Sequence, residues 1–136
     1  QRCDMKKLSC FLFATIMIFS LISCSKTGSA KIDCGESELY TMEERETIVN
    51  MIIEEIEEGE SIVKLKSLKF AGDSKCSYYL EQFKKDYDIE YEKCIVFIAN
   101  MKTPDAIKYF NQPESTFCYF YVKEPDGEWY LKDTGW

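Results

Sequence analysis

Apolar positions in this chain fall into a few runs with distinct periods, and each predicts an element. Ile48, Val49, Ile52, Ile53 and Ile56 recur at helical spacing. Such a stripe marks one buried face of an amphipathic helix. Thr41-Met42-Glu43-Glu44 in front of it is a capping-box pattern, so the helix should start after Thr41 and run to about Glu58, with Gly59 as its C-cap. Residues 62–70 read as a strand. Ile62, Val63, Leu65, Leu68 and Phe70 do not alternate cleanly, which predicts a bulge near Ser67. Ala71-Gly72-Asp73-Ser74 breaks the chain, and Lys75 to Tyr87 should form a second helix with Tyr79, Leu80, Phe83 and Tyr87 on one side.

The run from Cys94 to Met101 is the most apolar of this region and predicts a central strand covered on both faces. After a long connection containing Pro104 and Pro113, residues 115–123 form an aromatic strand. Pro125-Asp126-Gly127 turns the chain, and residues 128–133 return as the last strand. The expected fold class is α+β: one or two helices on an antiparallel sheet of about four strands.

A further apolar run, Leu8 to Ile22, has another meaning. It follows Lys6-Lys7, carries no charge, and at 15 residues is shorter than the roughly 20 a helix needs to cross a bilayer. It ends in Leu21-Ile22-Ser23-Cys24. This segment resembles bacterial lipoprotein signal peptides, in which an aliphatic residue sits three before a cysteine and a small residue immediately before it. The resemblance implies cleavage between Ser23 and Cys24, diacylglycerol on the Cys24 thiol, and acylation of the new amino terminus. Several acyl chains anchor a protein stably where one does not. The alternative is a secretory signal cut after Gly28-Ser29-Ala30. Met5 is the natural start, with residues 1–4 an upstream extension. The expected organisation is a signal peptide over 1–23, a lipidated flexible tether over 24–39, and one α+β domain over 40–136.

Composition narrows the chemistry. Arg2, Lys6, Lys7 and Asp4 leave with the signal, so 14 basic and 23 acidic side chains remain, a net charge of −9. Such a balance should repel nucleic acid and anionic lipid headgroups, and direct binding to either is not expected. The acidic run from Glu54 to Glu60 lacks the alternate acids and central Gly of a calcium loop and reads as a solvated face. The chain has no histidine, which excludes Ser-His-Asp and Cys-His catalysis and the common zinc sites. Neither a cofactor nor a metal is implied. Cys34, Cys76, Cys94 and Cys118 form no C-x-x-C pair. Cys94 and Cys118 fall in predicted strands and could pair across the sheet as a disulfide, or could both be small buried apolar residues.

The closing hairpin is apolar on both sides. Phe117, Tyr119 and Tyr121 alternate with Cys118, Phe120 and Val122, and Trp129 and Leu131 alternate with Tyr130 and Lys132. Tyr119, Tyr121, Tyr130 and Trp136 are therefore candidate walls of a ligand pocket, set against the reading that they are ordinary packing. Residues 117–122, then Asp126 to Leu131, then Asp133-Thr134-Gly135-Trp136 resemble the end of uncharacterised domains of small lipoproteins, related in style to the nuclear transport factor 2-like cone. The resemblance implies a small cone-like fold (cystatin-like or nuclear transport factor 2-like) and carries over no assigned activity. Three functions stand as expectations. The first is a noncatalytic module at the cell envelope, outside the cytoplasm, binding a protein, peptide or small ligand. The second is an enzyme using a carboxylate and tyrosines in an aromatic hollow, with Asp133, Tyr119 and Tyr130 as its groups. The third is a structural lipoprotein acting through an exposed strand edge.

Overall fold

The computed structural model describes residues 28–59, 63–102 and 114–135. Along the chain they form β1 (Lys31–Asp33), α1 (Met42–Glu58), β2 (Lys64–Phe70), α2 (Asp73–Tyr87), β3 (Lys93–Lys102), β4 (Glu114–Lys123) and β5 (Tyr130–Gly135). The strands make one five-stranded sheet in the order β1-β2-β3-β4-β5. The fold is α+β as expected, but the sheet is mixed: β1 runs parallel to β2 and the other neighbours are antiparallel.

The extra strand corrects the tether. Residues from Lys31 onward belong to the sheet edge. β1 has three exposed residues and no apolar pattern, because pairing with β2 uses its backbone alone. Gly35, just beyond it, takes a left-handed φ of 59° against the Phe70 ring, and a Cβ there would lie 3.2 Å from Phe70 Cδ1.

α1 begins at a complete capping box: Thr41 Oγ1 accepts the Glu44 N–H at 3.1 Å, and Glu44 accepts the Thr41 N–H at 3.3 Å. Gly59 is the C-cap, but in an extended conformation (φ −67°, ψ 143°), so its left-handed freedom goes unused. All five stripe residues from Ile48 to Ile56 are buried. Each contributes about 1.5–3 kcal/mol by leaving water. That outweighs the ~0.3–1 kcal/mol cost of acids near the helix C-terminus.

The bulge in β2 lies between Leu65 and Ser67, and it brings Leu65, Leu68 and Phe70 onto one buried face. β3 is the central strand and pairs with β4 over its whole length. Phe97 pairs with Tyr119 and Ile95 with Tyr121, whereas Val96 pairs with Phe120 and Cys94 with Val122. Neighbouring residues point to opposite faces, so these two sets separate. On the face of Phe70, Phe97 and Tyr119, α1 packs: the Arg45 guanidinium lies 5.5 Å from the Phe70 ring, and Lys93 bridges to Glu44 at 2.7 Å. On the other face α2 packs, with Tyr79 and Phe83 at 4.6 and 5.8 Å from Phe120. The central strand is covered on both faces, and among the described residues the sheet is open, in the linear order β1 to β5.

α2 starts at Asp73, earlier than the expected Lys75. Gly72 turns the chain at φ 100°, and Asp73 accepts from the Ser37 hydroxyl and, at 2.8 Å, from the Glu38 N–H. In the β4–β5 hairpin, Gly127 donates to the Glu124 carbonyl at 3.0 Å and Asp126 holds φ 60°.

Candidate functional site

The expected aromatic pocket is taken apart by the sheet. Tyr119 and Tyr121 share the α1 face and are 8% and 2% exposed. Burial raises the pKa of both phenols, Glu55 adding to it, so ionisation is suppressed. Tyr130 pairs with Val122, so it lies on the opposite face, 38% exposed. Trp136 lies outside the described residues. The pocket reading is corrected: both sides of the hairpin are apolar because both are covered, one by each helix.

The Cys94–Cys118 pairing is corrected too. Cys94 stands opposite Val122, and Cys118 opposite Ile98. Four residues of offset is about 13 Å along a strand, well beyond the ~7 Å that a disulfide can span between Cα atoms. All four described cysteines are free thiols. Burial pushes Cys76 up to about 11 and Cys94 to about 12, so both stay protonated at neutral pH and are poor nucleophiles.

These buried polar groups have a structural task. β2 ends at Phe70, opposite Phe97, and leaves the first residues of β3 without a strand on that side. Tyr40 and Cys76 take its place. The Tyr40 hydroxyl accepts the Cys94 N–H at 3.2 Å, and the Cys76 sulfur accepts the Val96 N–H at 3.3 Å. The Val96 carbonyl takes the Ala71 N–H at 2.9 Å.

Arg45 is a buried charge that the sequence reading passed over. It is 5% exposed, and its guanidinium donates to the carbonyls of Cys34 at 2.7 Å, Gly35 at 2.5 Å and Thr41 at 3.3 Å. Its position was the available signal: residue 45 precedes Ile48 and Val49 by three and four, which puts it on the apolar stripe.

An open hollow of about 370 Å³ lies where the end of α2, residues 88–92 and Pro125 meet. Asp88, Glu90, Glu92 and Lys84 rim it and Tyr91 lines it. Tyr91 is 2% exposed, and its hydroxyl has no hydrogen-bond partner among the described residues. The Phe83 and Tyr130 rings lie 6.4 and 6.5 Å from the Tyr91 ring, with the Lys132 ammonium 5.9 Å from it. Burial, then the nearby Tyr91 hydroxyl, pushes Tyr130 up to about 12. Asp133, the expected carboxylate partner of the tyrosines, is exposed opposite Phe120, away from the face of Tyr119.

Among the described residues no group of three or more Cys, Asp or Glu could hold a metal ion, and no helix is long and apolar enough to cross a membrane. Leu21, Ile22, Ser23 and Cys24 lie outside the described residues. No protein family, curated protein or solved structure matches the chain.

Proposed function

We propose that this chain is an exported protein held at the cell envelope by lipid on Cys24, and that its folded part is a noncatalytic interaction module. The observation that carries the reading is the order Lys6-Lys7, uncharged apolar run, Leu21-Ile22-Ser23-Cys24. The chemistry of the domain supports binding over catalysis. Without histidine, proton transfer would fall to thiols, phenols or carboxylates, and burial holds the Cys76, Cys94 and Tyr40 protons in place. The partner is an envelope protein, a peptide or a small ligand, met at the outer surface of the domain.

The test is the intact mass of the protein extracted from its own membrane in mild detergent. A mass equal to residues 24–136 plus acyl chains supports the anchor. A lipid-free chain beginning at Lys31 overturns it. Extra mass seen only under native conditions would identify what the domain binds.

A further inference from the structure

The net charge of the domain hides a segregation. α1 carries seven acids and a single base, Arg45. β2 contains three lysines and no acid in the sequence KLKSLKF. Cross-strand partners share a face. Lys31 pairs with Ser67 and Ser67 with Asn100, Lys69 pairs with Ile98, and Lys64 stands directly opposite Lys102. Lys31, Lys64, Lys69 and Lys102 therefore lie on one face, away from α1, and all four are exposed. Asp33, beside Lys69, is the acid that β1 contributes there.

Two lysines directly opposite each other in a sheet repel. On its other side Lys102 pairs in register with Glu114 of β4, whereas among the described residues no acid is paired with Lys64. An anionic surface would relieve that repulsion. The chain also says where such a surface would be. Lys31 is seven residues beyond Cys24, a reach of roughly 25 Å at full extension. This geometry rests on the lipid anchor of the proposed function. A tether that short gives an effective concentration of order millimolar, so a contact too weak to hold a free protein suffices. The acids of α1 lie on the other side of the sheet, and a screening length of about 8 Å mutes their repulsion.

We infer that the Lys31, Lys64, Lys69 and Lys102 face is a docking surface for the anionic phospholipid headgroups of the bilayer that carries the Cys24 lipid. It lays the sheet edge against the membrane and turns α1 outward. The expectation that the domain as a whole repels such headgroups was drawn from net charge, which does not see this arrangement.

The test uses the mature chain from Cys24 with its thiol unacylated, floated with phosphatidylglycerol-rich vesicles and with pure phosphatidylcholine vesicles. The wild type should partition to the first only, and release as salt rises. Each lysine at an anionic surface contributes about fivefold. Lys64→Glu with Lys69→Glu should lower partitioning by roughly tenfold or more, while Lys75→Glu with Lys85→Glu on α2, an equal change in net charge, should keep most of it. Lys64→Gln with Lys69→Gln repeats the test if the acidic pair impairs folding, which thermal unfolding reports. A wild type that ignores phosphatidylglycerol, or equal losses in the β2 and α2 variants, overturns the surface. The intact mass reports the anchor separately: an unlipidated chain that still binds these vesicles keeps the surface and removes the tether.

Discussion

The Tyr40 hydroxyl accepts the backbone N–H of Cys94 at 3.2 Å, across 54 positions of sequence, and so replaces a strand that β2 is too short to supply. An unpaired buried N–H costs about 1–3 kcal/mol. Tyr40→Phe keeps the ring and its edge contact with Trp129 at 6.4 Å, but removes the acceptor. We expect a loss of ~1–3 kcal/mol in denaturant unfolding, with an unchanged slope. Faster hydrogen exchange at Cys94 should accompany it.

Arg45 ties the β1–α1 connection to the core through the Cys34, Gly35 and Thr41 carbonyls. Hydrogen bonds from a charged donor are worth about 1.5–3 kcal/mol, so Arg45→Ala should destabilise the domain by ~2–4 kcal/mol. Because the lost contacts converge on residues 34–41, limited proteolysis of the variant should cut there first. Uniform cleavage across the domain would contradict this role.

The contrast between these two residues shows what a sequence carries. The helix stripe, the capping box, the bulge near Ser67, the central strand and the hairpin turn are local patterns, and each appears in the structure. Tyr40 and Arg45 act through partners far along the chain or on bare backbone, which leave no period. β1 is invisible for the same reason: Lys31, Ile32 and Asp33 are all exposed and contribute only peptide groups. Tyr119, Tyr121 and Tyr130 were legible as apolar alternation on two sides. Whether the second side was core or hollow depended on where α2 packs, and no residue in the hairpin encodes that.

Glu44 and Lys93 meet at 2.7 Å, where α1 touches β3. Burial opposes ionisation of Glu44, yet the Lys93 hydrogen bond and the Thr41 contacts together hold its carboxyl below the ordinary value. A depressed pKa contributes stability above the unfolded value, about 4.3, that is lost as pH falls through the folded one. Glu44→Gln should therefore be less stable than the wild type at pH 7, by about 0.5–1.5 kcal/mol. The gap should close in acid, which thermal melts from pH 7 to pH 3 would show.

Cys94 and Cys118 should not crosslink. Under oxidant the folded protein should keep a mass unchanged by reduction, with no Cys94–Cys118 peptide after digestion. Alkylation should reach half-buried Cys34 and Cys118 first, and Cys76 and Cys94 only on unfolding. A Cys94–Cys118 peptide would mean that the register Cys94–Val122 is wrong.

The alkaline limb of stability follows from the same interior. Cys76, Cys94 and Tyr40 are raised from 9.0, 9.0 and 10.0 to about 11, 12 and 12, burial being the largest cause in each. A group raised in the folded state is protonated there when the unfolded chain has already released its proton. The unfolded state then binds fewer protons, and stability falls with rising pH. Stability from these groups is complete below pH ~9 and is lost between ~9 and ~12. While one such group differs in protonation, the slope is up to about 1.4 kcal/mol per pH unit. Cys94→Ala removes one of them at the cost of a small cavity, so it should be less stable than the wild type at pH 7 and lose stability less steeply above pH 9. Parallel curves for the two proteins from pH 8 to pH 11 would show that the Cys94 thiol is not held protonated by its burial.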